Sequence, residues 1–144
     1  MNEIPKKSPY DLEERTFIFA RDTVLFCKKL PKIESNFIYS KQLIRSSGST
    51  GANYIEANEC LGQKDFKMKI KICRKEAKES AYWLRLIIAT NDESFTKEAT
   101  RLHDEAVELK KIFSSIANKW VWILELGIYL LFDAWFLVLS KKLE

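Results

Sequence analysis

Between residues 64 and 85, positive side chains recur about one helical turn apart: Lys64, Lys67, Lys71, Arg74, Lys78 and Arg85. On a helix these six share one stripe, and Lys41 and Arg45 of the preceding segment are placed to join it. Cations at that spacing can track a row of phosphates. Binding of this kind is sensitive to salt and largely blind to base sequence. The plainer alternative is a solvated helix face, which lysine-rich helices usually are. The net charge of +4 permits an acidic partner without demanding one.

Catalytic groups are scarce. The chain has one histidine, His103, on the solvent side of an amphipathic pattern. Cysteine nucleophiles need a base beside the thiol. Cys73 falls in an apolar stripe and Cys27 beside one, so packing is their expected role. Glu56 and Glu59, and Glu76 and Glu79, are carboxylate pairs three residues apart. A di-iron bundle needs Glu-x-x-His, and Thr100 stands where that glutamate would precede His103. The glycines of Ser46–Gly51 (SSGSTG) are three apart and are followed by Ala52 and Asn53, which departs from the phosphate-binding loop pattern. We therefore expect no enzyme activity, no metal and no cofactor.

The elements that hold the stripe read as helices. Three prolines and four glycines in 144 residues leave little material for β-turns. Helix 1 is expected over about 10–30, with Ser8 capping, Pro9 in the first turn and Pro31 as the stop. Its expected stripe is Leu12, Phe19, Val24, Cys27 and Leu30, widened by Phe17 and Phe26. Helix 2 is expected over 35–62. Its periodic pattern passes through SSGSTG without a slip, which favours one helix over two shorter ones joined by a loop. Its expected buried arc is Phe37, Leu43, Ile44, Tyr54, Ile55, Ala57 and Leu61. Ser47, Gly48 and Gly51 lie in that arc and are expected to allow close helix packing. Helix 3 spans 64–90, with Phe66, Ile70, Cys73, Ala77, Leu84 and Ile88 inward. Helix 4 spans 93–118 on the heptad Phe95, Ala99, Leu102, Ala106, Leu109, Phe113 and Ile116. Residues 92–108 carry two basic and six acidic groups, so this helix is expected to favour the basic helix 3.

The expected fold is all-α, an antiparallel up-down four-helix bundle over residues 1–119. Residues 120–144 form a separate apolar tail, read as continuing helix 4. Trp120 to Leu139 are twenty residues with two charges, Glu125 and Asp133. That is the length of a membrane span, but central acids cost about 2.5–3.5 kcal/mol each. Packing within the domain or an oligomer is the expectation, and a membrane anchor is the alternative. Three cysteines, an odd number without C-x-x-C spacing, point to a reducing cytoplasm. The first residues show no apolar secretory core.

Several stretches together resemble a known family. They are LEERTFIFARDTVLFCKKLPK, KQLIRSSGSTGANYIEANEC, KDFKMKIKICRKEAKESAYWL and EAVELKKIFSSI. The most specific parts are Arg45, Ser46, Ser49, Asn53, Glu56 and Ala57, then Lys64, Asp65 and Phe66. The resemblance is to the bacterial four-helix-bundle proteins of 23S rRNA intervening sequences, over about residues 10–118. The same superfamily includes the accessory variability protein of diversity-generating retroelements. The resemblance implies a homo-oligomeric ring, a pentamer, with a basic surface. The retroelement relative binds nucleic acid and partners a reverse transcriptase. Arg45, Lys64 and Lys67 are the basic positions this resemblance marks. The combined expectation is a non-enzymatic oligomer that binds RNA or DNA. The rivals are a protein-interaction scaffold and a membrane-anchored bundle.

Overall fold

The computed structural model describes residues 11–140, with side-chain surroundings for 11–119. Four helices follow in order: α1 Leu12–Lys29, α2 Glu34–Asn58, α3 Gln63–Thr90 and α4 Glu93–Ser140. No strand occurs among the described residues. Short turns join the helices. Asp11 starts α1, its carboxylate accepting from the backbone N–H of Glu13 at 3.1 Å and Glu14 at 3.3 Å. The expected cap at Ser8 and Pro9 lies outside the described residues. Leu30 closes α1 and Pro31 follows it, where a missing N–H costs the helix nothing. Gly62 caps the start of α3.

The helices pack in a square: α1 on α2, α2 on α3, α3 on α4, and α4 back on α1. Cross-helix pairs show the directions. Lys69 meets Glu56, Ser80 meets Ser46, and Asn91 meets Asn36, so α2 and α3 run antiparallel. Arg15 meets Glu105 and Lys29 meets Glu98, so α1 and α4 do too.

Large apolar groups fill the centre: Phe19 and Phe26 from α1, Leu43 from α2, Ile70, Leu84 and Ile87 from α3, Leu102, Leu109 and Phe113 from α4. The inward residues of α3 and α4 match the apolar periodicity. Ala99, Leu102, Ala106, Leu109 and Phe113 are fully buried, with Phe95 and Ile116 packed at the margin.

The expected Phe19, Phe26, Cys27 and Leu30 of α1 and Leu43 and Ala57 of α2 are buried, but the rest of the buried face differs from the expected one, most of all on α2. Thr16 and Thr23 are buried in α1, while Phe17 is 59% exposed. In α2 the buried residues are Asn36, Leu43, Ser46, Ser47, Thr50 and Ala57. Phe37, Ile44, Ile55 and Leu61, expected inside, are exposed. The small hydroxyls of α2 bury at low cost because each bonds locally, whereas the buried Thr23 hydroxyl of α1 has no hydrogen-bond partner among the described residues. Ser46 and Ser47 donate to the carbonyls of Leu43 and Ile44, and Thr50 donates to that of Ser46. Ser46 also meets Ser80 of α3 at 2.8 Å.

SSGSTG lies inside α2, as the unbroken periodicity requires. Its glycines differ. A Cβ on Gly51 would stand 3.1 Å from the Thr16 hydroxyl, so Gly51 lets α1 approach. A Cβ on Gly48 would meet nothing within 4 Å. The expected packing role is therefore corrected for Gly48, which faces open space, while Ser47 is buried.

At one end of the bundle, Asn36 and Asn91 form a reciprocal amide pair. Asn36 donates to Asn91 at 2.7 Å and Asn91 donates back at 2.9 Å. Asn36 also donates to the Pro31 carbonyl at 3.1 Å. The α1–α2 turn and the α3–α4 turn are thereby tied together.

Candidate nucleic-acid interface

The outer face of α3 is a ridge. Its exposed residues are Lys64, Met68, Lys71, Lys75, Lys78, Tyr82 and Arg85, at alternating four- and three-residue steps. This pattern follows from the core: Ile70, Cys73, Ala77, Ala81, Leu84 and Ile87 turn inward and leave the opposite face to solvent. Lys67 and Arg74 are half-buried at the flank of that ridge.

The cations of α2 and α3 fall into two groups. Those facing α2 are paired. Arg45 bonds to Glu79 and also to Glu76 at 3.3 Å. Lys69 bonds to Glu56. Glu76 is only 5% exposed and also meets Lys75 at 3.3 Å. Burial pushes the Glu79 carboxyl up, but hydrogen bonds from Arg45 and Trp83 and the Arg45 charge outweigh it and hold it below the usual range. The hydrogen bond to Glu79 in turn raises Arg45. Arg45 is thus neutralised by two carboxylates and holds α2 to α3.

The second group has no ion-pair partner among the described residues: Lys64, Lys67, Lys71, Arg74, Lys78 and Arg85 on α3, and Lys41 on α2. The expected attraction between an acidic helix 4 and a basic helix 3 is not how the acids are used. Glu98 and Glu105 pair with Lys29 and Arg15 of α1, at 2.9 and 2.6 Å. Asp22 of α1 takes Arg101 at 3.2 Å. No α3–α4 ion pair occurs among the described residues, so the α4 carboxylates do not neutralise the cations of α3.

Beside the ridge lies a shallow groove of about 500 Å³, lined by Lys75, Lys78, Tyr82, Arg85, His103 and Val107 among others. His103 was expected on the solvent side. It is half-buried here, with Nδ1 3.2 Å from Asp104. Lys75 and Tyr82 were missed in the sequence stripe. The exposed ridge follows the 4–3 heptad complement of the core, and that register includes both.

Among the described residues, no group of histidine, cysteine or acidic side chains is arranged to hold a metal. Cys27 and Cys73 are buried free thiols, and Cys60 is half-buried. Burial pushes the Cys73 thiol up to about 12. Among residues with described side chains, no helix is long and apolar enough to cross a membrane. The expectations for the packing of 120–144 concern side chains outside that part.

The profile of the 23S rRNA-intervening sequence proteins matches residues 10–115. A solved structure is similar: a protein of unknown function from the S23 ribosomal protein family of Bacteroides thetaiotaomicron VPI-5482. It is 33% identical, with a TM-score of 0.65, and the match covers 73% of this chain and 96% of that one. No curated protein matches.

Proposed function

The chain belongs to the 23S rRNA-intervening sequence protein family, and from there we propose that it is a non-enzymatic helical bundle that binds RNA or DNA through the ridge of α3. One observation carries this reading. Lys64, Lys71, Lys78 and Arg85 of the ridge have no ion-pair partner among the described residues and only Lys75 meets an acid, Glu76, while the cations of the α2–α3 seam are paired. Leaving like charges together on one face costs self-repulsion, and a polyanion removes that cost. Lys64, Lys71 and Lys78 are the exposed contacts, with Lys67 and Arg74 behind them and Lys41 near the rim. Arg45 supports the seam and does not touch phosphate.

The test is charge reversal. Lys71→Glu with Lys78→Glu is expected to abolish binding of an unspecific oligonucleotide at low salt and to leave the helical circular dichroism unchanged. Both side chains are exposed, so the fold does not need them. Undiminished binding by the double variant refutes the reading.

We further propose that the chain works as a homo-oligomeric ring, with five copies as the resemblance implies. Phe17 and Leu25 of α1 and Phe37, Ile38, Ile44 and Ile55 of α2 expose apolar surface, Phe37 at 74%. Surface of this kind favours association. The faces are on α1 and α2, away from the α3 ridge. Light scattering on the purified chain reads the mass. A mass five times 16.9 kDa supports the ring, a dimer contradicts it, and a monomer assigns the apolar face to another protein, such as a reverse transcriptase. The buried thiols fit a reducing cytoplasm.

A further inference from the structure

We propose that Tyr82 is a stacking platform for an unpaired base, so that the α3 ridge takes single-stranded rather than duplex nucleic acid. This rests on the nucleic-acid reading above and names its substrate class. Tyr82 interrupts a run of cations. Lys78 precedes it by four residues and Arg85 follows by three, about one helical turn on either side. A tyrosine there serves the core poorly: the residue is 53% exposed, and its ring packs edge-on against Trp83, with centroids 5.2 Å apart at 69°. That contact steadies the ring without covering it.

The groove beside Tyr82 suits a base and its phosphates together. Ala81 and Val107 supply apolar floor, and Lys75, Lys78 and Arg85 stand around it. Two acids are near. Glu79 is already bound by Arg45 and Trp83, and Asp104 meets His103. Glu79 thus has the Arg45 guanidinium beside it, and Asp104 lies against the His103 ring. Arg85, one turn from Tyr82, offers a planar fork that matches two phosphate oxygens. Aromatic faces accept any base, and a duplex must unstack a base before it can reach the ring. The combination of cations and a half-exposed aromatic on one helix therefore discriminates by strandedness, not by sequence.

The test uses the full chain, fluorescence anisotropy, and one unstructured oligonucleotide supplied single-stranded or annealed to its complement. The single strand is expected to bind about tenfold more tightly than the duplex. Tyr82→Ala is expected to lose about tenfold on the single strand and little on the duplex, with the salt dependence unchanged. Tyr82→Phe keeps the ring and is expected to bind as the parent does. Equal binding of the single strand by parent and Tyr82→Ala, or equal affinity for the two strand states, overturns the stacking proposal. If Lys71→Glu with Lys78→Glu still abolishes binding in that case, the interface stands and only the platform fails. If no oligonucleotide binds at low salt, both fall together.

Discussion

Gly48 and Gly51 stand three residues apart in α2 and make different demands. Gly48 faces open space, so Gly48→Ala removes backbone freedom from the unfolded chain and is expected to stabilise by about 0.5–1 kcal/mol. Gly51→Ala sets a methyl against the buried Thr16 and is expected to stabilise less or to destabilise. Thermal melts of the two variants check the order; Gly51→Ala melting above Gly48→Ala contradicts it. The sequence alone placed both glycines in one packing role, because composition does not say which side of the small-residue stretch meets a neighbour. Cys73 offers a second test. Its folded pKa is raised from 9.0 to about 12, so the unfolded chain loses its thiol proton first as pH rises. The stability from this group is whole below pH 9.0 and is lost as pH climbs toward 12. Denaturation midpoints are expected to fall across that window, and Cys73→Ala is expected to flatten the fall. Equal slopes in parent and variant contradict the assignment. The core position of Cys73 was legible in the sequence, since it falls in the apolar register of α3.

At the scale of elements, α3, α4 and most of the α1 face were legible and most of the α2 face was not. Helices α3 and α4 bury a largely apolar register, with Glu76 and Ser80 of α3 buried beside it, so periodicity found them. Helix α2 buries serine, threonine and asparagine and exposes phenylalanine and isoleucine. A wheel ranked by hydrophobicity turns such a helix the wrong way. Local hydroxyl-to-carbonyl bonds make the difference, and they leave no mark on hydropathy. The same limit applied to Arg45, which reads as a free cation until Glu76 and Glu79 of α3 are seen beside it. Asn36 belongs to this group. Its amide joins two turns at one end of the bundle, so Asn36→Ala leaves Asn91 without its main partner. The expected cost is about 1–3 kcal/mol in urea denaturation. A change within about 0.5 kcal/mol contradicts a structural role for the pair.

At the scale of the whole molecule, the family match ends at residue 115, and the solved relative is covered over 96% of its length by 73% of this chain. We propose the bundle of 1–119 as a folding unit of its own, with 120–144 an addition to it. A chain ending at Lys119 is expected to keep its helical circular dichroism and a cooperative melt. A non-cooperative melt of that chain assigns the tail to the core. The six-cation stripe was legible in outline. Lys75 and Tyr82 were not, because charge spacing alone does not locate the solvent ridge, whereas the buried register of α3 does.

The interface itself is tested most directly by the salt dependence of oligonucleotide binding in the parent and in the chain with Lys64, Lys71 and Lys78 changed to glutamate. Each lysine that neutralises a phosphate contributes close to one to the slope of log affinity against log salt. The account predicts a steep negative slope in the parent and a slope shallower by about three in the variant, with unchanged helicity. Identical slopes in the two proteins, or binding by the parent that is indifferent to salt, contradict it.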